Sequence, residues 1–366
     1  MGARYKVLVV DDSALMRKYL RQMLETQEDF EVYTARDGED ALRRIQEVDP
    51  DVVSLDINMP VMDGLTCLSH IMTESPRPVV MVSSLTEKGA LATFEALELG
   101  AVDYLAKPDG TVSLQIKDQA DELIRKVRAA LGAKRRPRRS SGERVHPPPE
   151  RLRKPLAAPE PAERAPEGLV LIGVSTGGPR TLEEILPDLP ADFPLPALVA
   201  QHMPGHFTRV FAERLDRRCA LRVKEIRGPS LLEAGTVWIA RGDADVVLSR
   251  RRKGLVALGV PADERCLWHP SVDRMVRSAL EHVPADRLIA VELTGMGDDG
   301  AEAMAEVHRR GGRTVAESED TAVVFGMPKE LIERGGADKV LPCHRIARQL
   351  VQWAYEGSGT AEAAKG

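Results

Sequence analysis

The stretch KVLVVDDSALMR, residues 6–17, decides the first half of the fold. Its apolar run at 6–10 is too short for a helix and is closed by Asp11 and Asp12, so it reads as a buried strand with a polar end. Ser13 stands where a helix cap belongs, and Met16, Leu20, Met23 and Leu24 then recur at helical spacing. A strand that runs straight into a capped amphipathic helix opens a βα unit. The alternation continues outward: apolar runs at 30–33, 52–55, 79–82 and 102–105 read as strands, and Ala41, Leu42 and Ile45 mark a helix after Gly38. Five βα units predict an α/β domain with a doubly wound parallel sheet over residues 4–128.

The chain has 366 residues, enough for two domains that each bury a core. Residues 133–166 change character, with RRPRR, PPP and PLAAPEPAERAP and almost no large apolar side chains. Such a segment cannot bury enough surface to offset its ordering entropy, so it is expected to be a flexible linker extended by its prolines. Beyond it the α/β pattern resumes over 167–355, with strands at 169–174, 197–201, 237–240 and 288–293 and helices at 181–186 and 272–281. Runs at 245–248 and 255–258 flank RRRKG and predict an inserted hairpin; residues 356–366 read as a disordered tail.

A net charge of -5 with 29% charged residues gives no basic field, which disfavours nucleic acid as a partner. Four scattered cysteines, Cys67, Cys219, Cys266 and Cys343, lack any CxxC pair and are expected to be reduced, packed thiols. The N-terminus lacks a secretory pattern, and no apolar run approaches the ~18 residues that span a bilayer. The expected location is the cytoplasm, without direct membrane insertion.

Asp11 and Asp12 end the first predicted strand, Asp56 the third, and Lys107 follows the fifth. In a parallel sheet such positions meet at the carboxyl edge, where open α/β folds bind ligands. Crowded carboxylates repel unless a cation joins them, and Mg2+ suits oxygen ligands beside a phosphoryl group. A carboxylate can attack phosphorus, and Asp56 is the candidate, with Lys107 neutralising the phosphoryl oxygens.

With VVSLDINMPVMDG at 52–64, Ser83 and Ser84 after the fourth strand, and DYLAKP at 103–108, this half resembles the receiver domain of two-component response regulators, which is flavodoxin-like. The resemblance implies that Asp12, Asp56 and the Asn58 carbonyl bind Mg2+, with Asp11 holding it through water. It also implies that a histidine kinase phosphorylates Asp56, and that Ser83 and Tyr104 form the switch pair with Lys107 beside them.

In the second half the strand at 169–174 runs into Ser175-Thr176-Gly177-Gly178-Pro179. Residues 173–177 fit G-x-S-x-G, which can present a serine hydroxyl on a sharp strand-to-helix turn; a phosphate-binding glycine loop explains the pattern nearly as well. His202 follows the next apolar strand in QHMPGH and could serve as base, with His206 a competitor one turn on and a structural histidine the plainer reading. TGMGDDG follows the strand at 288–293, where Asp298 or Asp299 could orient an imidazole, bind metal or cap a helix.

IGVSTGGP, QHMPGHFT, TGMGDDGA and ESEDTAVVFGMP together resemble the chemotaxis protein-glutamate methylesterase family, whose catalytic domain is Rossmann-like. The resemblance implies Ser175 as nucleophile, His202 as general base and Asp299 as orienting acid. Backbone N–H groups at Thr176, Met296 and Gly297 are the oxyanion candidates. The implied substrate is a glutamate methyl ester on the cytoplasmic helices of a chemoreceptor, with glutamine deamidation as a second activity, no cofactor for hydrolysis, and phosphorylation as the activating signal. A DNA-binding response regulator would share the first half but would place a compact helix-turn-helix after the linker. Here a long α/β pattern stands instead. A binding protein with a decayed esterase site would keep the fold but need not keep all three polar residues.

Overall fold

The structure, a computed structural model, describes residues 4–107, 116–133 and 168–357. Its contacts separate the chain into two units, Met1–Arg135 and Arg136–Gly366. The expected linker at 133–166 lies outside the described residues except for Ala133, as does the expected tail from residue 358 onward.

In the first unit strands and helices alternate: β1 (Tyr5–Val10), α1 (Ala14–Leu24), β2 (Phe30–Ala35), α2 (Gly38–Val48), β3 (Val52–Asp56), α3 (Gly64–Glu74), β4 (Val79–Ser83), α4 (Glu87–Leu99), β5 (Asp103–Ala106) and α5 (Ile116–Gly132). The strands pair in parallel in the order β2-β1-β3-β4-β5. Every residue of β3 and β4 is buried, since helices cover both sheet faces, and so their sequences are continuous apolar runs rather than alternations. Ser13 caps α1, its hydroxyl accepting the Met16 N–H at 3.3 Å. Val7, Val9, Leu20, Leu24, Val52, Val80 and Leu123 form one core on the α1–α5 side. The winding reverses between β1 and β3, so a crevice opens at their carboxyl ends.

The second unit contains β6 (Leu169–Val174), α6 (Gly178–Ile185), β7 (Ala197–Gln201), α7 (Gly205–Arg218), β8 (Arg222–Glu225), β9 (Ser230–Leu231), β10 (Thr236–Ile239), β11 (Ala244–Arg251) and β12 (Gly254–Pro261). It continues through α8 (Val272–His282), β13 (Leu288–Glu292), α9 (Ala301–Arg309), β14 (Arg313–Glu317), α10 (Met327–Glu333), β15 (Lys339–Leu341) and α11 (Cys343–Gly357). Seven parallel strands lie in the order β15-β14-β13-β6-β7-β10-β8. The chain builds outward from β6 through β7 and then returns to β13 on the other side, which puts the switch point between β6 and β13.

The inserted hairpin is present and longer than its apolar runs suggested, pairing from Ala244 with Pro261 to Arg251 with Gly254. The short β9 joins it as a third strand. It packs on α8, where the Leu248 N–H donates to Ser278 Oγ at 3.1 Å. All four cysteines are free thiols, and burial pushes the Cys67 thiol up to about 12, which keeps it protonated and unreactive. No helix among the described residues is long and apolar enough to cross a membrane.

Candidate functional site

In the first unit the crevice collects Asp11, Asp12 and Asp56, whose carboxylate oxygens lie within 4.8 Å of one another. Asp11 and Asp56 are buried, whereas Asp12 is exposed. Lys107 Nζ bridges the buried pair, 2.9 Å from Asp11 Oδ2 and 2.7 Å from Asp56 Oδ2. Burial pushes the Asp56 carboxyl up, opposed in part by Lys107 and reinforced by the Asp11 charge. Such an all-oxygen cluster suits a small hard cation, which would add to Lys107 in relieving the repulsion between the carboxylates. The Asn58 N–H faces Asp56 Oδ1 at 3.4 Å, so the residue adjoins the cluster through its backbone. Ser83 ends β4, its hydroxyl donating to the Gly89 carbonyl at 3.1 Å, and its own carbonyl accepts the Lys107 N–H at 2.7 Å. Tyr104 is buried beneath Lys126, whose ammonium sits 4.9 Å from the ring centroid.

In the second unit the strand register brings the site together. Val174 pairs with Gln201 across β6 and β7, so Ser175 and His202 are the next positions on adjacent strands. The His202 N–H donates to the Val174 carbonyl at 3.1 Å, and the Ser175 N–H to the Thr294 carbonyl at 2.9 Å. Ser175 turns into α6 through Gly177, whose φ of +80° favours glycine and where a Cβ would meet Val323 at 2.5 Å. Pro179 lies in the first turn of α6, where its missing N–H costs nothing.

His202 Nε2 lies 2.9 Å from Asp299 Oδ2, and both side chains are buried. Asp299 also accepts the Val272 N–H at 2.7 Å, the Asp273 N–H at 3.0 Å and the Ser271 hydroxyl at 3.1 Å. Two of the three readings of this loop, orienting acid and helix cap, are therefore joined in one residue: Asp299 holds the imidazole and caps α8. Burial works to raise its carboxyl, but the His202 bond and the α8 N–H groups overcome burial and hold it below the usual value. An ionised Asp299 takes its hydrogen bond from Nε2–H, which leaves Nδ1 of a neutral imidazole as the proton acceptor. Nδ1 is buried and has no hydrogen-bond partner among the described residues.

Asp298 points outward to Arg334 at 3.4 Å, and His206 is exposed in the first turn of α7. Neither reaches the His202–Asp299 pair by a hydrogen bond. Among the described residues only the first unit holds a cluster fit for metal. The Gly295 carbonyl accepts N–H groups from Gly326 at 3.0 Å and Met327 at 2.9 Å, so the VVFGMP segment buttresses the TGMG loop. A Cβ on Gly295 would come within 2.8 Å of Ser175 Cβ. Among the described residues no acceptor takes the N–H of Met296 or Gly297.

Two supporting residues escaped the sequence reading. The Gln201 amide donates to the Ser175 carbonyl at 3.0 Å and the His202 carbonyl at 3.1 Å, tying the two strand ends together. Its place beside His202 in QHMPGH was the available signal. Glu292 is fully buried at the end of β13, with neither carboxyl oxygen paired among the described residues. Burial first, then the charges of Asp299 and Asp273, push its carboxyl well up, so it holds its proton to higher pH than an exposed glutamate does. A group raised in this way contributes stability that is complete below the unfolded value of about 4.3 and declines as pH rises above it. Glu292→Leu should accordingly raise the melting temperature, with a gain that is smallest near pH 4 and grows toward pH 8. A gain that does not change with pH in thermal denaturation would contradict the buried neutral acid.

Comparison with known proteins places both units in known families. Residues 170–350 match the CheB methylesterase family model, and residues 7–117 match the response regulator receiver domain. A protein-glutamate methylesterase/protein-glutamine glutaminase of Rhodospirillum rubrum is 57% identical, covering 95% of this chain and 96% of its own. Another, from Rhodopseudomonas palustris, is 52% identical over 98% and 99% of the two chains. The crystal structure of the Thermotoga maritima CheB methylesterase catalytic domain covers 50% of this chain and 97% of its own, at 42% identity and a TM-score of 0.49. Relatives of this identity, aligned across both units, show that the chain belongs to the CheB methylesterase family and carries a response regulator receiver domain.

Proposed function

We propose that this protein hydrolyses glutamate methyl esters on the cytoplasmic helices of chemoreceptors, and deamidates glutamines there, under control of phosphorylation at Asp56. The observation that carries the reading is the His202–Asp299 pair at the strand end beside that of Ser175, which leaves Nδ1 as the unpaired basic atom. Nδ1 takes the Ser175 hydroxyl proton as Oγ attacks the ester carbonyl. The oxyanion is received by backbone N–H groups of Met296, Gly297 and Thr176, each worth ~10²–10³ in rate when aimed at it. The bond to the methoxy oxygen breaks, Nδ1 returns its proton, and methanol leaves. Water, giving a proton to Nδ1, then attacks the acyl carbonyl; the bond to Ser175 Oγ breaks, Nδ1 returns the proton to Oγ, and glutamate is freed. With a glutamine substrate the leaving group is ammonia.

In the receiver, the Asp56 carboxylate attacks the phosphorus of a histidine kinase's phosphohistidine, the N–P bond breaks, and Lys107 faces the incoming phosphoryl oxygens. Asp11, Asp12, Asp56 and the Asn58 carbonyl would hold Mg2+, which when bound neutralises phosphoryl charge. Ser83 and Tyr104 then act as the switch pair. The work is done in the cytoplasm, where the kinase and the receptor helices lie.

The direct test is methanol release from methylated receptors by purified protein. EDTA should block phosphorylation by acetyl phosphate and leave basal methanol release within about twofold, because hydrolysis needs no cofactor. Loss of basal release on chelation would place a metal in the hydrolytic site and refute that mechanism.

A further inference from the structure

The loop between the inserted hairpin and α8 lays an aromatic side chain over the proposed base. The Trp268 and His202 rings are nearly parallel, with an interplanar angle of 7° and centroids 5.4 Å apart. That is an offset stack, the favoured arrangement for two π faces. The same indole reaches the oxyanion loop: an ideal Cβ on Gly297 would lie 3.2 Å from Trp268 Nε1 and 3.4 Å from its ring carbons. One side chain thus touches the base and the backbone proposed to receive the oxyanion.

The position of the indole is set by Asp245, the buried residue near the start of β11. Asp245 Oδ1 accepts from His269 Nδ1 at 3.0 Å and from the Ser271 N–H at 2.8 Å. Its Oδ2 accepts from Arg274 Nη1 at 2.7 Å and from the Asp263 N–H at 3.0 Å. These partners flank Trp268 on both sides, so the loop is fixed at its two ends by one carboxylate. Burial works to raise that carboxyl, and the bonds from His269, Ser271 and Arg274 bring it below the usual value, which keeps it ionised and able to accept all four.

We propose that Trp268 is a positioning residue for hydrolysis: stacked on His202 and packed against Gly297, it keeps the imidazole in line with Asp299 and favours the imidazolium. This rests on the reading of His202 as the base. When Nδ1 takes the serine proton the ring becomes a cation lying on the electron-rich face of an indole, and such contacts are attractive. A neutral ring gains much less. An interaction that is stronger in the transition state than in the ground state speeds turnover rather than tightening binding.

Three variants of the full-length protein test this. Trp268→Leu keeps apolar bulk without a π face, and it should lower kcat for methyl-ester hydrolysis about tenfold with KM within about twofold. Trp268→Phe restores a face and should recover kcat to within about threefold of the parent. An undiminished kcat in Trp268→Leu, a loss confined to KM, or failure of Trp268→Phe to recover would each overturn the proposal. The stack has its own readout that needs no catalysis. In a background with Trp238 and Trp353 replaced by Phe, His202→Ala should change the intensity of Trp268 emission, and an identical spectrum would mean that the rings do not stack. Turnover retained by Ser175→Ala would instead discard the serine mechanism and leave the fluorescence result standing, so the two failures are distinguishable.

Discussion

Ser175→Ala should abolish methanol release, a fall in kcat on the order of 10⁵–10⁶-fold, while the circular dichroism spectrum and melting temperature should stay close to those of the parent. The size follows from losing the atom proposed to form the covalent bond. The constancy of the fold follows because no hydrogen bond to the side-chain hydroxyl helps to hold the turn among the described residues; the backbone bonds to Thr294 and Gly178 do that. His202→Ala should cost about as much, since a serine hydroxyl without a base is a poor nucleophile. Asp299→Asn should lower kcat ~10⁴-fold, because an amide can present N–H to Nε2 and so favours the wrong tautomer. The double variant Ser175→Ala/His202→Ala should be no slower than either single one. Losses that multiply would mean that the residues act separately and that the assignment is wrong. Asp299→Asn should differ from Ser175→Ala in stability as well: it loses a charged acceptor at the start of α8, which costs about 1–3 kcal/mol when the buried donors are left poorly paired.

The second large effect concerns control. A fragment of residues 168–357, which contains the whole seven-stranded sheet, should hydrolyse receptor esters about tenfold faster than the unphosphorylated full-length protein. Only about 1.4 kcal/mol of differential stability between an inhibited and an open state is needed for that ratio. The fragment should ignore acetyl phosphate, the full-length protein should respond to it, and Asp56→Asn should neither take up label nor respond. The physical basis is the charge at the β1–β3 crevice. Asp56 already shares Lys107 with Asp11, and a phosphoryl group there would compete for that one ammonium and for the nearby Ser83 hydroxyl. A fragment no faster than the intact unphosphorylated chain would rule out inhibition by the receiver and point to positive activation or to receptor docking.

Most of the strands that were legible in the sequence are buried on both faces, although β14, an interior strand of the second sheet, was not read. β1, β3, β4, β6, β7 and β13 are short apolar runs because helices cover them on either side, and each ends in the polar residues that mark a strand's carboxyl end. The edge strands of the first sheet, β2 and β5, were legible as the runs at 30–33 and 102–105, but those of the second sheet were not. β8 reads RVKE and β15 reads KVL, too short and too polar to stand out, and both owe their place to pairing with β10 and β14. Ser175 and His202 could be proposed because each closes an apolar strand, whereas Asp299 lies in the TGMGDDG loop beyond β13 and was separated from Asp298 only by the family resemblance. The contacts of Trp268, Asp245 and Gln201 could not, because they depend on loops brought together across long separations: the bond between His202 and Asp299 spans 97 residues of sequence. Nor does any local pattern tell an aspartate that caps a distant helix from one that orients a histidine.

That double duty bears on how relatives of this chain diverge. A lineage released from selection for hydrolysis would be free to lose Ser175, whose side chain supports nothing else among the described residues. It would not be equally free to lose Asp299, because the fold would still need an acceptor for the N–H groups of Val272 and Asp273 and for the Ser271 hydroxyl. Drift should therefore erase the serine first and the aspartate last. In an inactive descendant, an aspartate at this place testifies to an intact domain and says little about chemistry, whereas the serine is the residue whose presence still speaks for turnover.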